Sequence, residues 1–155
     1  MLQNEEIAAM REDYQKHTLE MSDVTENPIV QFANWFKGAL NSSELEPNVM
    51  TLSTASKSGM PSGRIVLLKG VQDGKFVFYT NYNSEKGKAI QANPHVCLNL
   101  FWHGLERQII IKGVAEKIAP NLSDGYFESR PDGSKLGAWA SDQSEEIESR
   151  EAMDS

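Results

Sequence analysis

The stretch VMTLSTASKSGMPSGRIVLLKGVQDGKFVFYT, Val49 to Thr80, decides the fold. It reads as strands separated by turns. Val49 to Ala55 is the first strand, and Lys57-Ser58-Gly59 turns the chain. Gly63 to Lys69 is the second, rich in the branched apolar residues that suit a pleated surface. Asp73-Gly74 is a hairpin signal, because both positions tolerate positive φ, and Phe76 to Thr80 follows as the third strand. Downstream, Ser84 is placed to cap a short helix from Glu85 to Ala92, which Asn93-Pro94 ends. His95 to Trp102 is a fourth strand, His103-Gly104 turns it, and Arg107 to Ile118 is a long fifth. Short sequential antiparallel strands of this kind predict a mainly β protein with peripheral helices, built on a small closed or partly closed antiparallel barrel.

Upstream of the strands, Pro28 suits the first turn of a helix, where its missing N–H is no loss. Ile29, Phe32, Ala33, Phe36, Ala39 and Leu40 then follow helical spacing, and Asn41-Ser42-Ser43 ends the run. That apolar stripe needs a sheet to cover it. Residues 4–16 predict a short charged helix and 17–27 an irregular connection, so 1–27 reads as a mobile N-terminal segment. The tail predicts helices over about 120–129, 133–141 and 144–153. A length of 155 residues makes one domain the expectation.

Bulk composition removes several classes of function. The formal net charge of −7 argues against a nucleic-acid or anionic-membrane surface, while leaving room for a local basic cluster. A single cysteine, Cys97, excludes an internal disulfide and fits a reducing compartment; in the apolar run HVCLNLFW it reads as a packing residue. The N-terminus has no signal-peptide core, and no apolar stretch approaches the roughly 20 residues that span a bilayer. A cytoplasmic protein is expected. The three histidines, His17, His95 and His103, lack metal-ligand spacing, so no metal is expected. P-loop, GxGxxG and nucleophile-elbow patterns are absent.

Four blocks in fixed order carry the candidate chemistry: RIVLLK (Arg64 to Lys69), FYTN (Phe78 to Asn81), SEKGKAI (Ser84 to Ile90) and WHGLERQ (Trp102 to Gln108). Each puts a cation, a hydroxyl or an amide at the edge of an apolar run. Arg64 offers a bidentate fork to phosphate and Lys69 a point charge. They are five positions apart, so a regular strand would face them to opposite sides unless a bulge intervened. Tyr79, Thr80 and Ser84 form a hydroxyl cluster beside Lys86, near a helix N-terminus whose dipole favours anions. Lys86 and Lys88 also suit a plain helix surface. Gln108 begins the run Gln108-Ile109-Ile110-Ile111, where an amide needs partners. Tyr126 and Arg130 are four apart on one helix face, Pro131 breaks that helix and Ser134 follows, giving a second candidate phosphate clamp. A surface Arg stacked on a Tyr reads equally well from these residues alone.

The ordered set RIVLLK, FYTN, LERQ, YFESRP and GAWASDQS, together with MREDY at Met10 to Tyr14, resembles the pyridoxine/pyridoxamine 5′-phosphate oxidase family, FMN-binding split barrels, over nearly the whole chain. The resemblance implies FMN as cofactor, held by Arg64, Ile65, Val66, Leu67, Leu68, Lys69, Tyr79, Thr80, Lys86 and Gln108. Gln143 and Ser144 would reach the FMN of the other subunit of a homodimer. Lys69, Tyr126, Arg130 and Ser134 would hold the substrate phosphate, and Arg11, Glu12, Asp13 and Tyr14 would close over the substrate. The implied reaction oxidises pyridoxamine or pyridoxine 5′-phosphate to pyridoxal 5′-phosphate, with O2 as acceptor and H2O2 released. The flavin does the redox chemistry, and no side chain is assigned a catalytic role. At Glu85 many family members carry an Arg for the FMN phosphate, which shifts load to Lys86 and Arg64. Family chains also continue for several dozen residues past SDQS, with a late Trp and an Arg-x-His pair. Because this sequence stops at Ser155, the expectation is a truncated form with weakened FMN binding and little turnover. Two other functions stay open: a flavin- or pyridoxal-phosphate-binding module without turnover, and a split-barrel flavin reductase for another substrate.

Overall fold

The computed structural model of the chain describes residues 4–118. Its elements are α1 (Asn4–Ala9), α2 (Pro28–Leu40), β1 (Val49–Ala55), β2 (Pro61–Leu67), β3 (Gly70–Gln72), β4 (Lys75–Val77), α3 (Glu85–Ala92), β5 (His95–Trp102) and β6 (Arg107–Val114). They gather into two compact units: residues up to Pro47 with Phe101–Gln108, and Asn48–Leu100 with the chain from Ile109 onward.

The larger unit holds most of the β structure. Strand order in its four-stranded sheet is β2-β1-β5-β6, and β3-β4 is a separate hairpin. β1 is antiparallel to both its neighbours, with Leu52 opposite Arg64 on β2 and opposite Leu98 on β5. The strands are therefore not paired simply in sequence order. After β2 the chain makes an excursion through the hairpin and α3 before β5 returns beside β1. Alternation sets the core: Met50, Leu52 and Thr54 of β1 are buried, with Val66 on β2 and Leu98 and Leu100 on β5. Each buried aliphatic side chain there contributes about 1.5–3 kcal/mol. α3 lies against β1. The segment after β6 runs beside the hairpin, where Glu116 pairs with Lys75 and the Lys117 ammonium sits 4.4 Å from the Tyr82 ring centroid.

Several element boundaries differ from the sequence expectation, each for a local reason. β1, α3 and β5 match the expected limits. β2 starts earlier and stops at Leu67, because the Lys69 N–H turns to the Val77 carbonyl (2.8 Å) and opens the new hairpin. Asp73 and Gly74, at φ 50° and 74°, form its turn as expected. β4 ends at Val77, so Tyr79 and Thr80 lie beyond the strand, on the way into α3. β6 stops at Val114: the Ala115 N–H bonds to Pro94, just before β5 begins, and the partner strand runs out. α1 covers only Asn4–Ala9; with no buried residue it has no packing to extend it. The helices expected over about 120–129, 133–141 and 144–153 lie outside the described residues.

In the smaller unit, Asn27 caps α2 by accepting from the N–H groups of Ile29 and Val30, with Pro28 in the first turn. Phe32 and Phe36 stack at 5.6 Å and pack on Trp102, at 6.4 and 6.0 Å between centroids. The Trp102 indole is almost fully buried, and its N–H donates to the Pro47 carbonyl at 2.8 Å. Arg107 lies over the Trp35 ring at 4.5 Å. Trp102→Ala removes both the aromatic packing and the indole donor. It is expected to cost about 3–5 kcal/mol in urea unfolding; a change below about 1 kcal/mol would mean that α2 is held some other way.

Candidate anion-binding site

Arg64 sits on the inward parity of β2, the face that also carries Val66. Its side chain runs back along that face. Nη1 donates to the Thr54 hydroxyl at 2.8 Å and to the carbonyls of Leu52 and Ser62, each at 3.2 Å. Among the described residues these bonds all come from Nη1. Nη2 and Nε, the edge by which a guanidinium grips a phosphate, donate no hydrogen bond among the described residues. The register explains the reach: Leu52 is opposite Arg64, and Thr54 is opposite Ser62.

Lys86 enters from the first turn of α3. Burial, and then the neighbouring Arg64 charge, hold its ammonium below the ordinary lysine pKa of 10.5; Glu85 opposes the shift. Two half-buried cations are thus held close enough to repel each other. Such a pair is what a dianionic phosphate needs, and the positive end of the α3 dipole adds to it. The local chain is built to present this turn. Ser84, fully buried, caps α3 by accepting from the Gly87 N–H at 3.3 Å and donates to the Asn81 carbonyl at 2.6 Å. The Thr80 hydroxyl lies 3.3 Å from that of Ser84. Ser84, read from sequence both as the cap of α3 and as one of a hydroxyl cluster beside Lys86, caps the helix and shapes the turn.

Two residues of this site were not singled out from sequence. Thr54 was one, although a hydroxyl at an inward slot after Met50 and Leu52 was a readable signal. Gly87 was the other. A Cβ there would lie 2.5 Å from the Tyr82 carbonyl oxygen and 2.6 Å from that of Asn81. A glycine inside a short helix costs about 1 kcal/mol against alanine, so its presence in the first turn was itself informative.

The remaining candidates are placed as follows. Lys69 is exposed and lies past the end of β2, in the short link to β3, so the strand parity expected from its spacing to Arg64 does not apply to it. Val66 and Leu68 share the Arg64 parity and are buried; Ile65 is exposed and Leu67 half-buried on the other side. Tyr79 and Thr80 are half-buried. Gln108 is on β6, in the smaller unit, and exposed. Arg11, Glu12, Asp13 and Tyr14 are irregular and exposed; just beyond them Lys16 is tied to the Glu106 carboxylate (2.9 Å, through its N–H) and the Gly104 carbonyl (3.0 Å, through Nζ). Tyr126, Arg130, Ser134, Gln143 and Ser144 lie outside the described residues. Among the described residues no group of acidic, His or Cys side chains is arranged to hold a metal ion.

Gly87→Ala tests whether the turn must be this tight. The added methyl would meet backbone oxygens that cannot rotate away. The expected loss is about 1–3 kcal/mol of stability, with weakened binding of a phosphorylated ligand. Unchanged melting and binding would show that the turn has slack.

Comparison with known proteins identifies the family and the fold. Residues 36–154 match a family model described as pyridoxamine 5′-phosphate oxidase. A pyridoxine/pyridoxamine 5′-phosphate oxidase of Paraburkholderia phymatum is 51% identical over 148 residues, covering 96% of this chain and 70% of the relative. The enzyme of the same name from Flavobacterium psychrophilum is 53% identical over 146 residues, covering 94% and 68%. Among solved structures, PhzG from Burkholderia lata, crystallised with tetrahydrophenazine-1-carboxylic acid, superposes with a TM-score of 0.83 at 27% identity, over 88% of this chain and 69% of that one. An FMN-binding protein of Nostoc punctiforme, related to pyridoxamine 5′-phosphate oxidase, shares the fold, with a TM-score of 0.65 at 15% identity over 85% and 73%. The antiparallel architecture is that of a split barrel, and the chain belongs to the pyridoxamine 5′-phosphate oxidase family.

Proposed function

We propose that this chain is an FMN-dependent oxidase of pyridoxamine and pyridoxine 5′-phosphates, acting in the cytoplasm as a homodimer. FMN is the cofactor. The observation that carries the reading is the convergence of Arg64 and Lys86, two half-buried cations beside the start of α3. Family membership with oxidases at about half identity supports the B6 substrate over the chemistry of PhzG, which is only 27% identical.

In this reading Arg64 and Lys86 bind the FMN phosphate, and the turn from Thr80 to Gly87 shapes the pocket around it. Ile65 to Lys69, Tyr79, Gln108 and, from the other subunit, Gln143 and Ser144 orient the flavin. When bound, FMN would supply the hydride acceptor for the substrate and the path for two electrons to O2. Lys69, Tyr126, Arg130 and Ser134 grip the substrate phosphate, far from the carbon being oxidised. That remote grip is how a site spends binding energy on orientation, which matters when about 1 Å of misplacement costs roughly 100-fold in rate. Arg11 to Tyr14 close over the substrate. The exposed Ile65 and Ile110, at 64% and 55%, offer apolar surface that a second subunit would cover.

The function is tested by adding pyridoxamine 5′-phosphate to the yellow holoprotein without oxygen, then admitting air. Bleaching of the flavin, followed by return of colour with peroxide, is expected. Bound flavin that the substrate never bleaches would leave a binding module; a chain that takes up no flavin would contradict the reading altogether.

Lys86 also gives a pH prediction. Its pKa is depressed in the free protein, and a bound phosphate raises it by favouring the ammonium. FMN affinity is therefore full below the free-protein pKa of Lys86 and falls as pH rises through it, starting below the ordinary value of 10.5. Lys86→Arg, which stays charged, is expected to flatten this alkaline limb in a fluorescence titration. An identical limb in that variant would assign the titration to another group.

A further inference from the structure

The geometry points to Thr54 as the positioning residue of the flavin-phosphate cation: its buried hydroxyl fixes the Arg64 guanidinium in the orientation that a phosphate requires. This rests on the reading of Arg64 as a phosphate ligand.

Arg64 faces two obstacles to staying in place. An arginine side chain has many rotamers to lose when it is fixed in place. It also stands near Lys86, whose like charge pushes it away when no anion is present. Three acceptors oppose these effects, all on Nη1: the carbonyls of Leu52 and Ser62 and the Thr54 hydroxyl. The hydroxyl bond is the shortest, 2.8 Å against 3.2 Å for the carbonyls. Thr54 supplies the one side-chain acceptor of the three, and the sheet supplies the other two through its backbone.

The position of Thr54 argues that its hydroxyl has a task beyond packing. It is 4% exposed, on the inward parity of β1 with Met50 and Leu52. Valine has the same branched shape and would suit such a slot without bringing a polar atom into it. A buried hydroxyl gains its place by meeting a partner, and the partner here is a charged donor. β1 also supports the second cation, since α3, which carries Lys86, lies against it. One central strand thus sets the position of both groups: through a side-chain bond for Arg64 and through helix packing for Lys86.

The test compares FMN with riboflavin, which has the same ring but no phosphate. Dissociation constants of both are measured by flavin fluorescence for the full chain and for Thr54→Val, Thr54→Ser and Arg64→Ala. Melting of each flavin-free protein is followed alongside. Thr54→Val is expected to weaken FMN binding about tenfold, the scale of one hydrogen bond to a charged group. Riboflavin binding and the flavin-free melting temperature should stay unchanged, and Thr54→Ser should restore FMN affinity. If Thr54→Val binds FMN normally while Arg64→Ala does not, the positioning role is wrong and the phosphate reading stands. If both flavins weaken together, or if melting falls in step, Thr54 is a packing residue and the inference fails. If Arg64→Ala keeps full FMN affinity, the phosphate reading fails first and the role of Thr54 falls with it.

Discussion

Two like charges held together in a half-buried place are the constraint on which the site depends. Arg64 and Lys86 repel each other, and burial adds to the cost of keeping Lys86 charged. A fold tolerates such a pair when the surroundings fix it and a ligand compensates it. Here the fixing comes from opposite sides. The inward face of β1 and β2 pins Arg64 through Thr54 and two carbonyls. The capped first turn of α3, closed on Asn81 and Tyr82 around Gly87, delivers Lys86.

The topology follows from the need to bring these pieces together. β1 is central because it must pair with β2, which carries Arg64, and with β5, which follows α3. The β3-β4 hairpin and α3 fill the excursion between them. Glu85 stands exposed beside Lys86 in the same first turn, and its carboxylate favours the charged ammonium in the absence of a ligand. If this turn binds a phosphate, the same carboxylate works against that anion, as the family's usual Arg at this position would not.

Much of the fold was legible in the sequence because local signals agreed with the global arrangement. The run Val49–Ala55 before the Lys57-Ser58-Gly59 turn gave β1 its limits, Asp73-Gly74 gave the hairpin turn, and Ser84 with Asn93-Pro94 bounded α3. What was missed depended on pairing partners. The end of β6 is set by where β5 begins, and the end of β2 by a backbone bond from Lys69 to Val77. The cations Arg64 and Lys86 were readable as residues near element ends. From the residues alone their mutual approach was not, because it needs the excursion to fold α3 back on β1; the family resemblance implied it by assigning both to the FMN phosphate. The spacing of Arg64 and Lys69 suggested opposite faces of one strand, but β2 ends at Leu67 and Lys69 lies beyond it. Thr54 and Gly87 went unnoticed because each looks ordinary until the neighbouring backbone is in view.

The central claim is that the Arg64 and Lys86 pair is an anion site for the flavin phosphate. A crystal structure of this chain with FMN tests it most directly. The phosphate is expected between the Arg64 fork and the Lys86 ammonium, with charge-assisted bonds of about 2.7–2.9 Å, and with Nη1 of Arg64 still on Thr54. A flavin whose phosphate lies elsewhere, with Arg64 and Lys86 touching no part of it, would contradict the account.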